Sequence, residues 1–83
     1  MDIHILKLEQ PFFNHVFYNK KEFEVRKNDH DFKIGDRLKL VEVVPTPLEP
    51  KRFVIKEIKY ILKGGQHGID KDYVILGLKE INQ

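Results

Sequence analysis

KRFVIKEIKYILK, residues 51–63, changes its apolar phase partway along: Phe53 and Ile55 share one parity, whereas Ile58, Tyr60 and Leu62 share the other. Side chains alternate between the two faces of a strand, so one straight strand cannot turn both sets toward a single core. A bulge near Lys56 and Glu57 reconciles them, and the bend it introduces is how a small sheet curls toward a barrel. This reading puts Tyr60 in the core.

Working outward, GGQHGID (64–70) is a Gly-rich connection, and DYVILGLKEI (72–81) is a buried strand with Val74, Leu76 and Leu78 aligned. Upstream, PTPLEP (45–50) is a loop, because its prolines remove backbone donors. RLKLVEVV (37–44) is a strand with Leu38 and Leu40 inward, preceded by a turn at Gly35 and Asp36. EFEVR (22–26) alternates strictly, which assigns Phe23 and Val25 to the core and leaves Glu22, Glu24 and Arg26 wet. Before it, Phe13, Val16 and Phe17 recur at helical spacing behind Pro11, giving a short helix over 10–18. Asn19 then suits a left-handed helix end, where Lys20 and Lys21 meet the negative end of the helix dipole. IHILKL (3–8) is a first strand, open to burial on both faces, with His4 packed within it.

The order is therefore strand, helix, then four strands, in a single domain spanning 1–83. The economical architecture is a mainly β, α+β fold: a small, partly closed β-barrel of about five strands whose one short helix, after the first strand, covers an opening. A chain of 83 residues buries only about 60% of the surface it exposes when unfolded, which leaves little room for a deep site.

Composition narrows the chemistry. There is no cysteine, so neither disulfides nor a thiolate metal site stabilise the fold. Serine is absent too, and the single threonine, Thr46, lies between two prolines, so hydroxyl or thiol nucleophilic catalysis has almost no candidate. The net charge of +2 is too small to establish nucleic-acid binding by itself. Its distribution says more: 51–63 holds Lys51, Arg52, Lys56, Lys59 and Lys63 against Glu57 alone, while the stretch from Lys20 to Lys39 mixes both signs. MDIHILKLEQ has no basic leader before an apolar core, and no apolar run approaches the roughly 18 residues that span a bilayer. The expectation is a soluble cytoplasmic protein with no membrane partner and no cofactor.

NKKEFEVRKND (19–29), IGDRLKL (34–40) and YILKGGQHGIDKDYVILGL (60–78), taken in order, resemble the ASCH domain of the PUA-like superfamily. The matching positions are Asn19, where the family usually has Gly, Lys20, Lys21, Glu24, Arg26, Gly35 and Asp36. The ending looks most like a small bacterial and phage-type subgroup. The resemblance implies a PUA-like barrel with a cleft between helix and barrel that binds RNA or a nucleotide. Lys20, Lys21, Glu24, Arg26, Lys27, Asn28, Gln66 and His67 are the expected contacts, with no catalytic residue and no metal.

Each residue type has a chemical role in that reading. Arg26 offers a planar fork for a phosphate or base edge, Lys21 a mobile point charge, and Glu24 an acceptor for a base amino group. The plain alternative is an exposed ion-pair face worth about 0–1 kcal/mol. Lys51, Arg52, Lys56 and Lys59 form a possible phosphate ridge, with Tyr60 or Phe53 as a base-stacking surface if either ring is exposed, or the lysines with which edge strands deter aggregation. Gln66 and His67 would read a base from the Gly-rich loop, whose commoner role is a tight turn; NDHD (28–31) lacks metal-ligand spacing and reads as a polar turn. Two other functions compete with RNA binding. One ASCH branch hydrolyses an acylated cytidine such as N4-acetylcytidine with a Lys, a Thr and a Glu; Lys21 matches, but Glu24 stands where that Thr is expected. The other is a phage or mobile-element module that binds a protein through the barrel rim.

Overall fold

Six elements follow one another in the computed structural model, which describes residues 1–81: β1 (Ile3–Leu8), α1 (Phe12–Phe17), β2 (Phe23–Lys27), β3 (Arg37–Glu42), β4 (Phe53–Lys63) and β5 (Tyr73–Lys79). The strands form one sheet in the order β1-β3-β4-β5-β2, with β1 parallel to β3 and the other neighbours antiparallel. The sheet curls into a half-barrel with one short helix, as the pattern of elements implies. No helix among the described residues is long and apolar enough to cross a membrane.

The concave side holds the core. Leu6 and Leu8 of β1, Leu38 and Leu40 of β3, Ile58 of β4, and Val74, Leu76 and Leu78 of β5 are buried there, each side chain stabilising the fold by about 1.5–3 kcal/mol. Phe13 and Val16 of α1 complete it from one end. Asn19 ends the helix with φ 61°, and the amides of Lys20 and Lys21 both bond to the His15 carbonyl, at 2.8 and 2.9 Å. This turn delivers Lys21 to the start of β2.

Three expectations about side-chain direction are corrected. The bulge in β4 lies between Ile58 and Tyr60, at Lys59 rather than at Lys56 and Glu57. Val54, Lys56 and Ile58 therefore face inward before it and Ile61 after it, while Phe53, Ile55 and Tyr60 are exposed. β1 is buried on one face only, since Ile3 and Ile5 are exposed. In β2 the alternation holds but its sense is reversed: Phe23 and Val25 are exposed, Glu24 is buried and Arg26 is half-buried. The reason is position. β2 is a terminal strand at the mouth of the half-barrel, so its inner face looks onto a cleft rather than onto packed apolar side chains.

Candidate functional site

β1 and β2 stand at opposite ends of the strand order, yet the curl brings them together: Arg26 Nη2 donates to the Lys7 carbonyl oxygen at 2.9 Å. Between them lies a cleft of about 620 Å³, a volume within the usual range for small-ligand sites. Leu8, Phe12, Phe23, Val25 and Val43 supply apolar surface, and Lys21, Glu24 and Arg26 supply charge, joined by Lys7 and Glu9 on the β1 side.

Lys21, Glu24 and Arg26 form one constellation around a water-excluded carboxylate. Glu24 is only 2% exposed, and its Oε2 lies 3.6 Å from both Lys21 Nζ and Arg26 Nε. Those distances describe ion pairs, being too long for well-formed hydrogen bonds. Glu24 Oε1 and Arg26 Nε are both buried without a partner. Burial pushes the Glu24 carboxyl above its ordinary value of 4.5, and the opposing pull of Lys21 and Arg26 does not cancel it. Lys21 Nζ also lies 5.2 Å from the centre of the Phe12 ring and 5.3 Å from that of Phe23, so cation–π attraction holds it at the cleft. The site thus offers a free acceptor beside a free donor, between apolar walls.

The other expected contacts are elsewhere. Lys20 lines an adjoining hollow with Phe12, His15, Lys21 and Phe23. Lys27 and Asn28 are exposed beyond the cleft, and the Asn28 amide donates to the Asp72 carbonyl. Gln66 Nε2 donates to the Lys63 carbonyl at 2.8 Å and His67 has φ 52°, so both serve the tight turn of the 64–70 connection and neither lines the cleft.

The phosphate ridge breaks up. Lys51 and Lys59 are exposed, but Lys56 is 6% exposed, with Nζ bonded to Asn19 Oδ1 and 3.9 Å from Glu80. Its inward parity, which follows from the true bulge position, removes it from any surface track. Arg52 donates through Nε and Nη2 to the two oxygens of Glu42, at 3.1 and 3.0 Å, reaches Asn14 Oδ1 at 2.7 Å, and lies over the rings of Phe13 and Phe17. These bonds hold Glu42 down to about 2 and tie α1 to the sheet. Glu42 as the partner of Arg52 was not legible, because nothing in LVEVV distinguishes it from a wet-face acid.

A second buried pair is structural. Asp36 Oδ2 is 2.8 Å from His4 Nε2 and accepts from the Lys33 amide at 3.1 Å, while Oδ1 accepts from the Asp2 amide at 3.0 Å. These bonds hold Asp36 down to about 2 and anchor the Gly35–Asp36 turn against β1.

Residues 3–78, nearly the whole chain, match the family described as Domain of unknown function (DUF3850). The chain belongs to the DUF3850 family. No curated protein matches it. The match takes in β1, α1 and β2, so every charged residue of the cleft lies within the DUF3850 domain.

Proposed function

We propose that this DUF3850 domain is an ASCH-like, cytoplasmic RNA-binding module that seats one nucleotide in the cleft between β1, α1 and β2. The observation that carries the reading is the buried Glu24 carboxylate, with one oxygen unpartnered beside an equally unpartnered Arg26 Nε. Orphaned buried polar atoms are costly, and a ligand edge presenting a donor next to an acceptor satisfies both at once. Nucleobases carry such edges. Phe12, Phe23 and Val25 offer apolar surface for the ring, and Lys21 offers a cation for the phosphate.

The test is retention of a mixed RNA pool at rising salt. Wild-type protein retains RNA at low ionic strength and releases it as salt rises, because neutralised phosphates recover their counterions. Glu24→Gln and Arg26→Met bind more weakly. Absence of salt-sensitive retention in the wild type ends the proposal.

One observation favours a second reading. A desolvated carboxyl with a raised pKa, 3.6 Å from a lysine, is suited to moving protons to and from water. Glu24 and Lys21 would then hydrolyse the amide of an acylated nucleoside such as N4-acetylcytidine. Thr46 takes no part, being exposed in the 45–50 loop and outside the cleft. Acetate release that Lys21→Ala abolishes supports hydrolysis; an inert wild type rejects it.

A further inference from the structure

The outer face of β4, β5 and β2 has a composition that its place in the fold does not require. Solvent-facing sides of antiparallel sheets are ordinarily polar. Here the register sets Tyr60, Gly77 and Phe23 side by side across the three strands, and Leu62, Ile75 and Val25 in the next row. Tyr73, which pairs with Lys27, extends the same face. Tyr60 is 60% exposed, Tyr73 41% and Phe23 45%.

Two features fit this face to planar, anionic ligands. Gly77 leaves bare backbone between Tyr60 and Phe23, and a Cβ there would meet the Tyr60 Cβ at 3.2 Å. The rim is cationic: Lys59 stands exposed in the bulge and Lys27 ends β2 opposite Tyr73, whereas the acid of the face, Glu57, is paired with Lys79 at 3.1 Å. Aromatic rings edged by lysines that make no ion pair among the described residues suit a polyanion with stacking faces better than an apolar protein surface.

We propose that this face is a stacking platform for single-stranded nucleic acid, a surface separate from the cleft that joins it at Phe23 and Val25. The inference shares with the cleft reading the class of partner and the Phe23 and Val25 border, and rests on Tyr60 and Tyr73, which do not line the cleft. Gly77, opposite Tyr60, and Tyr73 are four residues apart along β5, about 13 Å at strand rise, so one base cannot cover both tyrosines. The platform therefore acts on an oligonucleotide and not on a mononucleotide.

The experiment measures binding of a short mixed-sequence single-stranded RNA, the same sequence as a duplex, and free mononucleotides. It compares wild-type protein with Tyr60→Leu, Tyr73→Ala and Glu24→Gln, each shown to be folded by circular dichroism. Loss of one stacking ring weakens single-strand binding about fivefold or more and leaves mononucleotide binding unchanged. Tyr60→Leu keeps an apolar cover over Gly77, so its loss of binding reports stacking rather than disturbed packing. Undiminished single-strand binding in both tyrosine variants overturns the proposal, as does a wild type that binds duplex equally tightly. If the tyrosine variants lose RNA while Glu24→Gln loses neither ligand, the platform stands and the cleft reading fails; mononucleotide binding without single-strand binding gives the reverse.

Discussion

Glu24 and Asp36 are both buried carboxylates, and their surroundings push them in opposite directions. Asp36 accepts from two amides and pairs with His4, whereas Glu24 has two cations at 3.6 Å and one oxygen with no partner. For Asp36, held at about 2 against 3.8 unfolded, the folded state favours the charged form. Its contribution is complete above pH 3.8 and disappears as pH falls through about 2. Asp36→Ala strands those donors at about 1–3 kcal/mol each. In urea unfolding the gap between variant and wild type is therefore widest near neutrality and narrows as the acid protonates. For Glu24 the sign reverses, because a raised folded-state pKa means that the folded state prefers the neutral acid. Stability is then lost as pH climbs from 4.5 through the raised value. Glu24→Gln carries no titration, so its melting temperature gains on the wild type over that window while RNA retention falls. A constant difference from pH 4 to 8 would show that the carboxyl is not desolvated.

β2 and β4 show what period-two patterns reveal and where they stop. The alternation itself is present in both strands, and Leu38, Leu40, Val74, Leu76 and Leu78 point where it places them. What alternation does not carry is which side of a strand faces a packed core and which faces a cleft. In β2 the apolar set is outside, and in β4 a bulge three residues beyond Lys56 inverts nearly every assignment around it. The Lys21, Glu24 and Arg26 grouping was nonetheless legible, because same-parity residues on one strand plus a helix-end lysine converge whichever way the strand turns. Contacts made through tertiary structure were not legible, the clamp on α1 above all. Six residues are too few to be stable alone as a helix, so α1 depends on Phe13 and Val16 in the core and on Arg52 bridging Asn14 to Glu42. Arg52→Met keeps the stem over Phe13 and Phe17 but loses those bonds. Amide exchange over 12–18 is expected to quicken about tenfold, with β4 and β5 protection unchanged; uniform protection would mean that the clamp is dispensable.

At the scale of the whole molecule, the cleft exists because the sheet stops short of closure. β1 and β2 each keep a free edge, and exposed strand edges invite pairing with other chains unless something occupies or covers them. β1 makes the hazard acute, since Ile3 and Ile5 are exposed on it. Arg26 spans the gap, with Nη2 on the Lys7 carbonyl and Nε facing Glu24, so one side chain both pins the two edges and helps hold a charge inside the mouth. Arg26→Met removes both ties: the carbonyl returns to water, and Glu24 keeps Lys21 as its remaining cation. Weakening the balance around a buried charge costs about 1–3 kcal/mol, read as a lower urea midpoint with an unchanged slope. The freed edges add a second signature, an elution volume that falls with protein concentration more steeply than for the wild type. Arg26→Lys separates the effects, because it keeps a cation near Glu24 but cannot reproduce the fork that reaches across to Lys7. It should recover most of the stability and none of the resistance to self-association. If Arg26→Lys instead restores both, the bridge to Lys7 does not hold the mouth together, and closure rests on α1 and the apolar lips alone.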